Sequence, residues 1–279
     1  MHLASFLFSS KEVYDGFMRI ASLSPAATEI LFALGVEEEI VCVDRFSNFP
    51  EEVKALSHLK DHQKVRTEDV QSFSPELVLT GTVVQERLAA ELKKAGLAVV
   101  HQDPRTLHQI YESIRALGAL LGCDKEAESV ILTMQQGFND VKKKAALLPR
   151  KTRIYIEEWP ALPNKSGGHD PPFASGNWVP EIARLAGAEH FPIKAGELSR
   201  AVTLEEVQAF DPELIIISWC GAGSLAPKEL LLKRAGWDQL KAIEQGHVRV
   251  IDDSFLNRPG PRLVEGARRI YSWIFEMLH

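Results

Sequence analysis

The chain has 279 residues, 45% apolar and 25% charged, the make-up of an ordinary soluble globular protein with material for two domains of usual size. Its net charge of -6 argues against nucleic-acid binding, because the densest basic run is only Lys142, Lys143 and Lys144, whereas phosphate recognition needs a concentrated basic surface. No apolar run reaches the ~18 residues of a membrane-spanning helix, so no membrane insertion is expected, and Cys42, Cys123 and Cys220 outline no disulfide framework.

In chain order, the apolar stretch 3–8 has no Lys or Arg ahead of it and no clear small-residue cleavage site after it. Met18 offers an alternative start next to the first strand. Together these predict a cytoplasmic protein rather than a periplasmic one. Residues 19–23 form a predicted strand. Ser24 as N-cap and Pro25 at the first helical position then open a helix that closes on Gly35, and its free amides are a default anion or carbonyl site. Strands follow at 39–43, 77–80 and 97–101, with helices ending at Gly96 and Leu121. The next run, 124–148, reads as one long helix. It has Asp124 at its cap, Glu126 and Glu128 in the first turn and three lysines in the last, with Val130, Ile131, Met134, Phe138, Val141 and Ala145 at steps of three and four. Beyond it come strands at 152–157, 214–218 and 248–252 and helices at 177–187, 204–210 and up to Leu278. Strands alternating with helices predict an α/β fold with parallel sheets.

The two sides of the long helix are alike. Val-Gln-Ser-Phe-Ser-Pro-Glu-Leu-Val at 70–78 returns as Val-Gln-Ala-Phe-Asp-Pro-Glu-Leu-Ile at 207–215, six of nine positions identical, and in both halves a short helix closing on glycine precedes it. Matched blocks in the same order argue for a duplicated unit. The expected division is an N-terminal lobe at 18–123, a connecting helix at 124–148 and a C-terminal lobe at 149–279.

Ligands of open parallel sheets gather at the carboxyl ends of strands. The loops there carry Phe46, Trp159, Phe173, Trp178, Trp219 and Phe255 in a chain only 8% aromatic, which suits a large, flat, partly apolar small molecule. Arg45, Asn257 and Arg258 stand beside these rings as polar partners, arginine being able to grip a carboxylate or amide. His58 and His62 lack the acidic companion of a metallohydrolase helix, so no protein-only metal site is expected, although His62 or His169 could touch a metal carried by a ligand. There is no nucleophile elbow and no phosphate loop, which leaves a small-molecule enzyme as the weaker alternative to a binder.

The runs RIASLSPAATE at 19–29, SPELV at 74–78, PPFASG at 171–176 and NRPGPR at 257–262 resemble the vitamin B12-binding proteins of the helical-backbone class of ABC-transporter substrate-binding proteins, which also holds siderophore and haem binders. The resemblance spans nearly everything from Met18 onward. It implies two similar α/β lobes with mainly parallel sheets, joined by a single long α-helix, and a ligand cleft between the lobes. It implies a non-catalytic monomer with cobalamin or a related corrinoid as ligand and no catalytic cofactor; a siderophore or haem is the alternative. Phe173 matches the family's stacking aromatic, and Phe46 or Phe49 an aromatic of the first-lobe loop. His62 and Gly81 stand where tryptophans would, a residue near Ser199 replaces another, and Asn257 takes an acidic position, with Trp159, Trp178 and Trp219 as possible substitutes. Glu86 and Glu229 correspond to the acidic residues through which family members dock on a permease. If the protein is intracellular, replacing both with alanine should leave affinity and cellular function unchanged.

Overall fold

The computed structural model describes residues 18–62, 64–165 and 168–279, so the stretch 3–8 lies outside the described residues. The chain divides into two compact units, one holding the described residues up to Asp103 with Tyr111–Ile131, the other Pro104–Ile110 with Leu132–His279.

The first unit opens with β1 (Ile20–Ser22), α1 (Pro25–Leu34), β2 (Ile40–Val43), α2 (Thr67–Gln71), β3 (Leu77–Gly81), α3 (Glu86–Lys94) and β4 (Val99–Gln102). All pairings are parallel, in the order β2-β1-β3-β4. Strands β1, β2 and β3 are short runs rich in Ile, Val and Leu and buried over most of their length, as a sheet covered on both faces requires, while β4 at the edge is mostly half-buried. Helix α1 starts and stops where its sequence says: the Ser24 hydroxyl accepts from the Ala27 amide, Pro25 occupies the first turn, and Gly35 ends the helix at φ 75°.

Helices α4 (Leu107–Leu121) and α5 (Asp124–Ala145) follow, and the division between units passes through both. The expected boundaries follow the long helix, whereas the compact units follow packing: Leu107 donates its amide to Glu181 at 2.8 Å and Arg105 reaches Asn177 at 3.2 Å, which ties the start of α4 to the second unit. Helix α5 buries Ile131, Met134, Phe138 and Val141 along its predicted stripe. It stops at Ala145 instead of Leu148, because Leu147 and Leu148 donate to carbonyls three residues back, at 3.1 and 3.2 Å, and tighten the last turn.

The second unit continues with β5 (Thr152–Trp159), β6 (Phe173–Ala174), α6 (Val179–Leu185), β7 (Ala188–His190), β8 (Arg200–Ala201), α7 (Leu204–Phe210), β9 (Leu214–Ile217), α8 (Glu229–Leu232), α9 (Lys241–Glu244), β10 (Val248–Val250) and α10 (Leu263–Leu278). Strands β10, β9 and β5 run parallel. The other edge of β5 is shared: its first three residues pair β7 in parallel, and its end pairs β6 antiparallel, with β8 antiparallel beyond. The parallel expectation therefore holds for the body of the sheet and not for this rim. Strands β6 and β8 are two residues each, too short to leave an alternation in the sequence. Helix α6 begins at Val179 rather than 177, since Asn177 sits at φ 54°.

The duplication is repeated atom for atom at one place in each unit. Ser74 and Asp211, the same position of the repeated nonapeptide, both take a left-handed conformation at φ 47° and 52°. The Glu two residues on accepts the backbone amide of an arginine at the start of the unit's first strand, Arg19 just ahead of β1 to Glu76 at 2.9 Å and Arg153, the second residue of β5, to Glu213 at 3.0 Å. Each arginine also donates its Nε to the carbonyl of the left-handed residue, at 3.1 and 2.8 Å. One supersecondary unit has been used twice.

His190, at the end of β7, donates through Nδ1 to the Phe191 carbonyl at 2.8 Å, while its Nε2 is shut away without a partner. Burial pushes its pKa down to about 4. The unfolded chain therefore binds this proton near the ordinary 6.5 and the folded chain does not, so stability is present above that value and falls as pH drops from about 6.5 toward 4. Between pH 7 and pH 5 the loss from this residue should be about 1 to 2 kcal/mol. Thermal melts of His190→Gln should fall less over that interval than those of the parent chain; parallel curves would refute the assignment.

Candidate functional site

The carboxyl edge of the first unit's sheet is organised by Asp44, the residue after β2. Its side chain is fully buried and accepts four hydrogen bonds. The Ser47 amide and hydroxyl reach Oδ1 at 3.0 and 2.5 Å, and the Phe46 amide and His62 Nδ1 reach Oδ2 at 3.2 and 2.5 Å. Behind Ser47 the chain of contacts continues through Thr28 to Ser22, each step 2.8 Å. Gln85, also buried, brackets the same loop by donating to the Leu23 and His62 carbonyls and accepting from the Gly81 amide. Neither Asp44 nor Gln85 stood out in the sequence. The only signal was an Asp followed at two and three residues by amides it can cap.

This scaffold holds up the expected residues. Phe46 and Phe49 are exposed at 39% and 43%, and His62 meets Phe46 edge-on, ring centroids 5.3 Å apart. Arg45 is exposed with its guanidinium 5.6 Å from the Phe46 ring. Ser24 is the exception, since it is buried with its hydroxyl spent on capping α1, while Pro25 is half-buried beside it. Glu86 begins α3 on the surface, next to exposed Val83 and Val84.

In the second unit, the end of β5 puts Trp159 directly opposite Phe173 of β6, both outside the core at 45% and 36% exposure. Residues facing across an antiparallel pair project to one side, so the two side chains leave the same face of the sheet. Beside them lies a polar cluster the sequence did not reveal. Glu158 accepts from the Ser199 hydroxyl and from the Cys220 thiol at 3.9 Å, and Asn257 Nδ2 lies 3.2 Å from the same sulfur. Burial pushes the Glu158 carboxyl up, and the bonds from Ser199 and Cys220 pull it partly back. Burial, then the Glu158 charge, raises the Cys220 thiol well above its ordinary value. Gly176 makes this possible: a Cβ there would lie 2.5 Å from the backbone of 197–199, and its amide donates to Ser199 at 2.9 Å.

Several expected ligand residues belong to the protein's own packing. Trp178 and Trp219, each 3% exposed, donate their indole N–H to the Leu256 carbonyl at 2.7 Å and to Glu157 at 3.0 Å; they are core residues and not walls. Asn257 spends its amide on the Ser218 carbonyl at 2.7 Å and accepts from the Ser218 hydroxyl, bracing the end of β9. Phe255 is half-buried under the guanidiniums of Arg262 and Arg269, at 5.4 and 4.5 Å. Arg258 is half-buried in the same turn, and exposed His169 makes a single bridge to Pro163. Glu229 begins α8 on the surface, beside exposed Leu225 and Leu230. Among the described residues, no three His, Cys, Asp or Glu side chains converge as a protein-only metal site, and no helix is long and apolar enough to cross a membrane.

The chain resembles known proteins in sequence and in fold. A family described as periplasmic binding protein matches residues 20–255. An uncharacterised ABC transporter substrate-binding lipoprotein of Bacillus subtilis is 27% identical, the alignment covering 92% of this chain and 80% of the relative. A vitamin B12-binding protein of Vibrio cholerae is 24% identical, covering 92% and 88%. The solved periplasmic haem-binding protein of Roseiflexus shares the fold at a TM-score of 0.80 with 23% identity, over 95% of this chain and all of that one. These findings overturn the expected cytoplasmic location. Charge pattern at the start of the sequence was its basis, whereas family and relatives are periplasmic or lipoprotein components and point outside the cytoplasm. With the match running from β1 past the last strand, over two α/β units built on one repeated motif, this chain belongs to the periplasmic binding protein family, the substrate-binding components of ABC importers.

Proposed function

We propose that the protein binds a corrinoid, cobalamin or a close relative, as a monomer and without transforming it, and delivers it to an ABC permease. The observation that carries the ligand reading is the Trp159–Phe173 pair, two rings projecting from adjacent strands at the carboxyl end of a parallel sheet, where a flat macrocycle can lie against them. The relatives named for vitamin B12 support this choice of ligand. A haem is the second reading, favoured by the fold likeness to haem-binding proteins. For the permease, Glu86 and Glu229 are the proposed docking residues, each an exposed carboxylate at a helix start beside bare aliphatic side chains. Titration calorimetry with cobalamin, cobinamide, haemin and a ferric siderophore tests the ligand. Saturable binding of a corrinoid is expected; saturable haemin or siderophore binding with no corrinoid binding overturns it.

A further inference from the structure

Two adjacent carboxylates at the end of β5 are used in opposite ways. Tyr155, Trp219 and the fork of Arg234 fill both oxygens of Glu157 and balance its charge. Glu158 has one hydroxyl and one thiol, from Ser199 and Cys220, and no cationic side chain bonds to it among the described residues. A carboxylate offers roughly four lone-pair sites, so each Glu158 oxygen keeps one that no described residue fills. The direction of its two bonds is set from outside. The Gly176 amide donates to the Ser199 hydroxyl at 2.9 Å, which leaves that hydroxyl to donate to Glu158. On the other side the Asn257 amide lies 3.2 Å from the Cys220 sulfur, whose thiol donates to Glu158. Two relays of donors thus end on one carboxyl group, and both of its oxygens accept. The arginines of the same segments are engaged elsewhere, Arg200 with Glu206 at 2.8 Å and Arg234 with Glu157.

The place of Glu158 in the sheet gives this spare capacity a use. Strand β5 pairs Glu157 with Ala174 and Trp159 with Phe173, so Glu158 is the extra, unopposed residue of a bulge, a device that re-aims side chains near sites. Its partner Ser199 immediately precedes β8, whose Ala201 pairs Phe173. The carboxylate therefore sits next to Trp159 along the chain and close to Phe173 across the sheet, half-buried rather than sealed. A ligand lying against those two residues would bring its rim to an anion that still accepts. A neutral N–H donor gains a charge-assisted hydrogen bond there, whereas a carboxylate meets like charge in a partly desolvated place. We infer that Glu158 reads the periphery of the bound macrocycle, accepting from a primary amide on its rim, and so selects amide-bearing rings over carboxylate-bearing ones. The inference rests on the proposal that the ligand is a corrinoid, and it adds the chemistry that tells one from a haem: the corrinoid rim carries acetamide and propionamide arms, the haem rim propionates.

Dicyano corrinoids that share one ring and differ at the rim test this: cobinamide with amides, the heptamethyl ester of cobyrinic acid with neither N–H donor nor charge, and cobyrinic acid with free carboxylates. Cyanide on both faces keeps the metal out of the comparison. In titration calorimetry with the full chain, the amide form should bind about tenfold more tightly than the ester, and the acid more weakly than either. Glu158→Gln should weaken the amide form by about three- to tenfold and strengthen the acid by about threefold or more. The ester should bind parent and variant within about twofold, which shows that the variant still folds and presents its rings. A purely structural role for Glu158 would weaken all three ligands alike. That result overturns the inference, as does an unchanged amide-to-acid ratio, and in either case corrinoid binding stands. If the folded parent chain binds none of the three, the corrinoid reading falls and the inference with it.

Discussion

Replacing Arg234 with methionine is expected to cost about 3 to 5 kcal/mol of stability. Arg234 holds both oxygens of Glu157, at 2.8 and 2.7 Å, and Glu157 is completely buried. The same carboxylate accepts from the Tyr155 hydroxyl and the Trp219 indole, each at 3.0 Å, and the guanidinium lies 4.2 Å from the Trp237 ring centroid. Every acceptor site is thus used, and one cation balances the charge. Methionine keeps most of the apolar volume over Trp237 but strands a carboxylate away from water. For a unit of this size the melting temperature should fall by roughly 6 to 20 °C. Adding Glu157→Gln should recover half or more of the loss, because a neutral amide oxygen still accepts from Tyr155 and Trp219. Calorimetric melts of the single and double variants measure both effects. A loss under about 1 kcal/mol for Arg234→Met would show that water reaches the carboxylate after all.

What could be read in advance was whatever is local or repeated. The Ser24 cap, the Gly35 stop and the acidic and basic ends of α5 each depend on a few neighbouring residues. The nonapeptide repeat led to the matched Arg19–Glu76 and Arg153–Glu213 nodes because a repeated sequence must repeat its hydrogen bonds. What escaped notice depends on partners far along the chain. A loop tryptophan has an apolar body and one N–H, so it serves as a ligand wall or as a core residue according to where that N–H goes. The partners of Trp178 and Trp219 lie 78 and 62 residues away, and nothing near either ring announces them. Trp159, with the same local look, stays outside. Glu157 reads as the polar end of a strand until Arg234 is brought to it from 77 residues on. Asp44 and His62 are 18 residues apart with no motif between them, and strands β6 and β8 come from loop residues that pair only because β5 runs past its neighbour β7. The sheet body, built from contiguous apolar runs, was legible; the polar geometry at its edge was not.

The aromatic pair can be tested on its own. Trp159→Ala and Phe173→Ala should each weaken corrinoid binding by about tenfold, corresponding to ~1.4 kcal/mol of lost stacking and contact area. The two residues stand opposite each other on paired strands and would meet the proposed ligand together, so their effects should not simply add. The double variant is expected to lose about 20- to 50-fold, short of the hundredfold of simple addition, and Trp159→Phe, which keeps a flat ring, should lose only a few-fold. Because both side chains are substantially exposed, the double variant should keep its melting temperature within about 3 °C of the parent. Affinities from calorimetry with dicyanocobinamide isolate this pair from any axial bond, since cyanide occupies both faces of the metal. An affinity within about threefold of the parent in the double variant would remove these rings from the binding surface. Trp178→Phe provides the contrast: it deprives the buried Leu256 carbonyl of its donor, so it should lower stability by about 1 to 3 kcal/mol while leaving the affinity of the folded protein nearly unchanged.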